Sequence, residues 1–220
     1  ALPINSLRTF AAKIIEEKID VQWTGELKFE KSLLKDDRMD LLYKSGCRKL
    51  IFGLESYNQR VLDSMKKGVE LSWVDETADR CIKLGIAMHF YLICGFPTET
   101  REEVMDSINF ILDNQRLLDS PGFSAILSQF DLERGAPIEK NPAEWGIKNL
   151  YTPPEHDLSL GYSYETTIGM NSEEINELYQ QLIEKLGREV MTFPHNYSLS
   201  DGLLYLAHHQ RNSLTERLGA

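Results

Sequence analysis

The chain has 220 residues, of which 42% are hydrophobic and 26% are charged. These values are ordinary for a globular protein and exclude a disordered tail, a collagen-like rod and a small disulfide-rich protein. The longest apolar stretch, at 90–96, is far shorter than the roughly 18 residues that a membrane span requires. The 24 basic residues against 34 acidic ones give a net charge of −10, which argues against electrostatic binding to nucleic acid or to an anionic membrane.

The chain carries three cysteines, Cys47, Cys81 and Cys94, which are widely spaced and form no CxxC pair. This spacing argues against a structural zinc site and against a disulfide framework. We therefore predict free, buried thiols in a protein of the reducing cytoplasm, and we assign no metal ligand. Because the sequence begins with alanine and not with methionine, we expect it to be a piece of a longer chain.

Hydrophobic periodicity predicts that helices and strands alternate over the first 132 residues. The predicted helices lie at 5–18, 36–46, 72–84 and 100–118. The predicted strands lie at 19–27, 49–53, 86–94 and 123–132. Ser72 and Thr100 are the expected N-caps of their helices, because their side chains can accept hydrogen bonds from the first backbone N–H groups. Gly46 and Gly85 are expected to end the helices that precede them.

Strands that alternate with helices of this length pair in parallel through right-handed crossovers. The predicted strand cores are apolar on both faces, as buried parallel strands are. Four strands are fewer than the eight of a closed barrel, and the order begins with a helix. We therefore predict an α/β fold with four parallel strands. It is either about the second half of a partial (β/α) TIM-like barrel, with further strands upstream, or a four-stranded open sheet.

The last third of the chain has a different character. Prolines are frequent at 133–170, which predicts an irregular connector. Asn171 is expected to begin an amphipathic helix, and leucines predict a last helix near 203–206. We therefore divide the chain into a barrel portion at 1–150 and a mainly helical C-terminal extension at 151–220.

Ligands of parallel α/β sheets bind at the carboxyl ends of the strands. Glu55 and Ser56 follow the second predicted strand, and their carboxylate and hydroxyl groups could bind the vicinal hydroxyls of a ribose. The alternative is that Glu55 caps the following turn and that Ser56 faces water. Lys28 follows the first strand and could neutralise a ligand carboxylate, although a lysine at this place is more often solvated surface.

Gly95 follows the third predicted strand. Because it has no side chain, a flat ligand could lie against the main chain of Ile93 and Cys94. The alternative is that Gly95 only shapes the turn into the next helix. The chain contains no GxGxxG, P-loop, HExxH or GxSxG sequence, and its acidic residues show no pairing typical of acid–base catalysis, so we assign no catalytic residue.

Three runs of sequence carry a family resemblance. The run SGCRKLIFGLESYNQRVLDSMKKGVE at 45–70 resembles the fourth-strand region of radical S-adenosylmethionine (radical SAM) enzymes, with their GxES and KG sequences. The run at 78–104 resembles the next unit, in which a strand ends in GFPxET. The run ERGAP at 133–137 loosely resembles the loop after the sixth strand. The subgroup with these motifs includes enzymes with an upstream cobalamin-binding domain and methylthiotransferase-like enzymes, and the choice between them stays open.

The resemblance implies a set of cofactors and site residues. Glu55 and Ser56 would face the ribose or the methionine part of S-adenosylmethionine (SAM), and Lys28 would bind the methionine carboxylate, where the family often has arginine. Ile93, Cys94 and Gly95 would meet the adenine through their backbone. The family also holds a 4Fe-4S cluster with a CxxxCxxC motif, which this sequence lacks. Cobalamin is a possible further cofactor.

The resemblance implies that the parent protein reductively cleaves SAM to a 5′-deoxyadenosyl radical, which acts on an unknown substrate. The chain alone is expected to be inactive. The alternative is a non-catalytic scaffold, a regulator or a partner-binding protein on a degenerate barrel. The expected partners are the N-terminal half of the same barrel or a second copy, because the strand edge at 20–28 would otherwise lie open unless 151–220 covers it.

Overall fold

The computed structural model describes residues 3–152 and 160–189 of the chain. Four strands, β1 to β4, form a parallel sheet in sequence order, and they are Trp23–Leu27, Cys47–Glu55, Ala87–Cys94 and Ser124–Gln129. The helices of this part of the chain, α1 to α7, are Ile4–Glu16, Arg38–Lys44, Gln59–Ser64, Leu71–Leu84, Arg101–Leu112, Gln115–Leu118 and Ser172–Glu189. Strands β5 to β7 form an antiparallel sheet in the order β5-β7-β6, and they are Leu132–Glu133, Ile147–Tyr151 and Gly161–Thr166.

The order of the parallel strands confirms the predicted α/β fold with four strands of a partial barrel. Helices lie between all consecutive strands of this sheet, since α2 follows β1, α3 and α4 follow β2, and α5 and α6 follow β3. The carboxyl ends of the four strands therefore lie at one edge of the sheet. None of the described helices is long and apolar enough to cross a membrane.

The sheet has one face that the helices cover completely. On β2, Phe52 is fully buried, whereas its neighbours Ile51 and Gly53 on the other face are half-buried. Phe52 stacks on Phe29 at 4.3 Å between ring centroids and meets Phe90 edge-on at 6.1 Å. Burial of one such ring contributes about 2 kcal/mol. This aromatic cluster therefore joins the segment after β1 to the two middle strands.

Strand β1 is the first strand of the parallel sheet and pairs with β2. It begins at Trp23 and not at Ile19 as predicted, because the Ile19 N–H still donates to Ile14 O and completes the end of α1. An apolar groove of about 500 Å³ runs along β1, with Phe10 of α1 packed edge-on against Trp23 at 5.5 Å. The described part of the C-terminal extension lies elsewhere, since α7 packs on β4 and α5.

The prediction of an irregular connector at 133–170 is wrong. Strands β6 and β7 lie there, and the pairs Ile147↔Thr166 and Tyr151↔Ser163 join them across position 150. Two short 3-10 helices begin at prolines 137 and 142, whereas prolines 153 and 154, where breaks were also predicted, lie outside the described residues. The strands are too short for a periodic pattern to distinguish them from loops. The division of the chain near residue 150 stays a prediction.

The helix predicted to begin after Asn171 is present as α7. The Asn171 side chain accepts hydrogen bonds from the N–H groups of Glu173 and Glu174 at 2.9 and 3.0 Å. The carboxylate of Glu174 in turn accepts from the Asn171 N–H at 2.8 Å. This reciprocal pattern satisfies backbone donors that the first turn of a helix leaves without partners. The helix predicted near 203–206 lies outside the described residues.

Two of the predicted helix boundaries differ from the structure. Helix α4 begins at Leu71 with Glu70 as its N-cap, so Ser72 lies inside the helix and does not cap it. The predicted helix at 100–118 is divided into α5 and α6, because the backbone of Asn114 leaves the helical conformation. Both differences concern one or two residues, the scale at which helix ends vary.

Replacing Thr100 with alanine is expected to lower the free energy of unfolding by about 1 kcal/mol. Thr100 Oγ1 accepts from the Glu103 N–H at 3.3 Å, and the Glu103 carboxylate accepts from the Thr100 N–H at 2.9 Å, so the variant loses one half of a capping box. Urea unfolding followed by circular dichroism measures the loss. The control is Thr9→Ala on the exposed side of α1, which removes no cap. An equal loss in both variants would contradict the assignment.

Candidate cofactor-binding site

The candidate site lies where β2 and β3 end side by side. The pairing of these strands shifts register between Gly53 and Glu55, so Leu54 is an extra residue on β2. Glu55 follows with a φ of +64°, in the left-handed region that favours glycine. A bulge of this kind turns the direction of the next side chain. Glu55 is therefore held in a costly backbone conformation that aims its carboxylate.

The Glu55 carboxylate folds back over its own strand. Its Oε1 accepts a hydrogen bond from Lys67 Nζ at 2.6 Å, and the Glu55 side chain is 14% exposed. A Cβ at position 53 would lie 2.5 Å from the same oxygen, so a side chain there would displace the carboxylate from this position. Gly53 and Glu55 of the GxES sequence are thus coupled sterically, and Lys67 of the KG sequence neutralises the glutamate.

Ser56 lies next to Glu55 but is fully buried. Its hydroxyl lies 3.3 Å from Ser107 Oγ of α5 and accepts from the Asn58 N–H at 3.2 Å. The Tyr57 N–H donates to the same Ser107 hydroxyl at 2.7 Å. These bonds fasten the loop after β2 to α5. The structure therefore gives Ser56 a structural position, and its contact with a ligand stays a prediction.

Gly95 directly follows β3 with a φ of +86°, and protein atoms fill its neighbourhood. A Cβ there would lie 2.7 Å from Cγ2 of Ile175 on α7. The carbonyl of Cys94 accepts from the Phe130 N–H at 2.8 Å. Glycine is thus required here by the close approach of α7. The backbone of Cys94 is also partly engaged within the protein, and its contact with adenine stays a prediction.

Glu99 is the most deeply buried carboxylate of this region, with 1% of its surface exposed. Its Oε2 accepts from the N–H groups of Gly95 and Phe96 at 2.7 and 3.2 Å. Its Oε1 has no hydrogen-bond partner among the described residues. Burial raises the pKa of Glu99 to about 7, against the lowering effect of the two N–H groups. Glu99 therefore closes the GFPTET turn and titrates near neutral pH.

Arg60 joins this turn to the loop that follows β2, and sequence analysis missed it. Its guanidinium donates to Thr98 Oγ1 at 3.1 Å and to Thr98 O at 3.2 Å, and it forms an ion pair with Glu103. The Arg60 guanidinium lowers the pKa of the Glu103 carboxyl. Arg60 lies on α3, a six-residue helix that is too short to show periodicity. The available signal for Arg60 in the sequence was its position five residues after Glu55, at the end of the run LESYNQR.

Two other predicted residues lie around this edge without joining the cluster. Lys28 directly follows β1, one position beyond the pair Leu27↔Phe52, and is exposed. Ile93 is half-buried on β3, opposite Ser128 of β4. The structure thus brings Glu55 and Gly95 to adjacent strand ends. The ligand contacts of Lys28 and Ile93 stay predictions.

The three cysteines are free and buried, as predicted. Cys47 begins β2 and Cys94 ends β3, so they lie at opposite ends of the sheet, and Cys81 lies on α4. Burial raises the pKa of all three thiols, to about 12 for Cys47 and Cys94. No group of metal-ligating side chains occurs among residues 3–152 and 160–189. The described residues therefore do not fit an iron–sulfur cluster, which needs several thiolates in one place.

Comparison with known proteins shows which proteins this chain resembles. Residues 9–111 match the model of the Radical SAM superfamily. An uncharacterized methyltransferase of Pyrococcus horikoshii is 31% identical over 98 residues, which is 44% of this chain and 21% of that protein. The bacteriochlorophyllide d C-12(1)-methyltransferase of Chlorobaculum tepidum is 29% identical over 110 residues, which is 50% of this chain and 24% of that protein. The chain thus spans about a fifth to a quarter of the length of these relatives.

A solved structure shows the same fold. The cobalamin-dependent S-adenosylmethionine radical enzyme OxsB, with aqua-cobalamin bound, aligns with a TM-score of 0.56 and 12% identity. The alignment covers 94% of this chain and 36% of that chain. The parallel sheet therefore has the fold of a partial radical SAM barrel. The match to the Radical SAM superfamily over residues 9–111 covers just under half of the chain.

Proposed function

We propose that this chain is part of a radical SAM methyltransferase, in which it supplies about the second half of the barrel and one side of the SAM site. Both curated relatives described above carry methyltransferase names, at 31% and 29% identity. The matched segments cover only part of each relative. We therefore expect the longer protein that contains this chain to hold further parts of the site. The cluster ligands would lie among those parts, since this sequence has no CxxxCxxC motif.

The geometry of Glu55 carries the proposal. Its carboxylate sits at the carboxyl end of β2, where ligands of parallel α/β folds bind. The bulge at Leu54, the absence of a side chain at Gly53 and the ion pair with Lys67 all fix its position. A carboxylate is an acceptor for the two hydroxyl groups of a ribose. We expect Glu55 to orient SAM, while the group that starts the radical chemistry comes from outside this chain.

The test uses the longer protein that contains this segment, purified without oxygen and supplied with iron and sulfide. SAM and a strong reductant are added, and the products 5′-deoxyadenosine and S-adenosylhomocysteine are measured. Formation of either product supports a radical SAM enzyme, and S-adenosylhomocysteine supports methyl transfer. A parallel reaction with added cobalamin tests whether that cofactor increases turnover. A loaded protein that forms neither product would leave a non-catalytic scaffold as the function.

Replacing Glu55 with glutamine in the same protein is expected to weaken SAM binding about tenfold, because a charged acceptor of the ribose hydroxyls is lost. Equilibrium titration with SAM measures the change. The control is Glu76→Gln on α4, whose carboxylate pairs with Arg80 at the surface. If Glu55→Gln lowers only the stability and leaves SAM affinity unchanged, the ion pair with Lys67 is structural and Glu55 does not bind the cofactor.

The edge of β1 would pair with another strand of the same barrel. The support is the position of β1 at the end of the described sheet and the apolar groove beside it. An unpaired strand edge favours association. The isolated chain is therefore expected to self-associate, which light scattering measures. A monomer whose β1 amides exchange rapidly with solvent would contradict this proposal.

A further inference from the structure

A second cavity, of about 360 Å³, lies outside the cluster around Glu55. It lies between the carboxyl end of β4, strand β7 and the first turns of α7, and it opens to solvent. The residues that matter for its chemistry are Phe130, Asp131, Tyr162, Tyr164, Ile175 and Asn176. Its volume falls within the range of roughly 300 to 1,000 Å³ that is typical of small-molecule sites.

The walls of this cavity are held in place by contacts within the protein. Gln129 Nε2 donates to Asn176 Oδ1 at 2.8 Å, which joins the end of β4 to α7. Phe130 packs edge-on against Phe96 at 5.2 Å. The Tyr162 hydroxyl donates to the Glu139 carboxylate at 2.7 Å. The site is therefore formed before a ligand binds, and ordering its side chains on binding would cost little free energy.

The cavity has one charged lining residue and a cation at its border, since the Arg134 guanidinium lies 4.9 Å from the centroid of the Tyr162 ring. Among the described residues that line it, Asp131 alone carries a charge. Its carboxylate lies over the backbone of Gly161, where a Cβ would be 2.8 Å from Oδ1. Burial and the Asp131 carboxylate together raise the pKa of Tyr164 to about 12, so this tyrosine stays neutral beside the aspartate. The cavity thus combines neutral aromatic rings with one carboxylate.

The geometry points to a binding site for a flat aromatic cation. Its ring would pack among Phe130, Tyr162 and Tyr164, and its positive group would pair with Asp131. Aromatic faces attract cations, and the exposed Asp131 carboxylate adds a charged hydrogen-bond acceptor. Ile175 lies between this cavity and Gly95, so the ligand would sit beside the SAM site. The binding of this ligand does not depend on the proposed function. Its role as the methyl acceptor does rest on that function.

The test compares three probes of the same shape and different charge: benzamidine, benzamide and benzoate. Binding to the 220-residue chain is measured by calorimetry and by amide chemical shifts, without SAM or a cluster. Benzamidine is expected to bind at least about tenfold more tightly than benzoate, with benzamide between them. Equal affinities, or a preference for benzoate, would overturn the inference. Either outcome leaves the SAM cleavage assay unaffected, so the two proposals fail separately.

Three variants locate the binding. Asp131→Asn is expected to weaken benzamidine binding about tenfold. Asn176→Asp keeps the acceptor for Gln129 and adds a second negative charge, so it is expected to strengthen benzamidine binding, a gain that an unfolded variant cannot show. The control Asp113→Asn changes an exposed residue that caps the end of α5 and is expected to have no effect.

A competition experiment separates this cavity from the SAM site. If 5′-deoxyadenosine displaces benzamidine, the cavity belongs to the nucleoside part of the SAM site, and the inference is overturned. If both bind together, the cavity is a separate site for the aromatic cation. Insensitivity of benzamidine binding to both Asp131→Asn and Asn176→Asp would also overturn it.

Discussion

Replacing Gly46 with alanine is expected to lower the free energy of unfolding by about 4 kcal/mol, a loss at the upper end for single substitutions. Gly46 has a φ of +98°, and a Cβ there would overlap the backbone carbonyl oxygen of Val21. Backbone atoms cannot turn aside as a flexible side chain can. The Gly46 carbonyl also accepts the Trp23 N–H at 3.0 Å, so a shift at Gly46 would disturb the start of β1.

The matched control is Gly85→Ala. Gly85 also follows a helix and has a φ of +71°, but nothing lies within 4 Å of the position of its Cβ. The Gly85→Ala variant is therefore expected to lose only the free energy that alanine costs in the left-handed conformation, about 1 kcal/mol. Urea unfolding of both variants gives the difference directly. Similar losses in the two variants would show that the contact with Val21 does not limit the residue at position 46.

The wild-type protein is expected to lose stability relative to Glu99→Gln as the pH rises from about 4.5 to 7. Burial raises the pKa of Glu99 from 4.5 to about 7 in the folded state. Between these values the folded protein keeps a proton that the unfolded chain releases. Unfolding therefore becomes easier with rising pH, and the total change is about 3 kcal/mol at roughly 1.4 kcal/mol per pKa unit.

The measurement is a set of denaturant titrations of both proteins across this pH range. The difference between them is the relevant quantity, because it removes the titration of other groups. Arg60 and Glu103, which lie near Glu99, are common to both proteins. The control Glu76→Gln changes a surface carboxylate and is expected to give a flat difference. A flat difference for Glu99→Gln as well would show that Glu99 is already ionised at low pH in the folded protein.

Local patterns in the sequence predicted much of the fold. The alternation of helices and strands, the capping box at Thr100 and the helix ends at Gly46 and Gly85 follow from contacts within a few residues, so they can be inferred without tertiary structure. The parallel sheet followed from the lengths of the connecting helices. The short strands β6 and β7 could not be predicted this way, because their pairing depends on each other and not on local periodicity.

In the candidate site, too, some features could be predicted from local sequence and others depended on the tertiary structure. The residue types at the strand ends marked Glu55 and Gly95 as candidates, and the motifs around them carried the resemblance to radical SAM enzymes. Only the tertiary structure showed that a side chain at position 53 would displace the Glu55 carboxylate, which folds over Gly53. It also placed Ile175 against Gly95 across 80 positions of sequence and Arg60 against Thr98 across 38. Contacts between residues so distant in sequence arise only when the packed sheet and helices bring them together, and no local pattern encodes them.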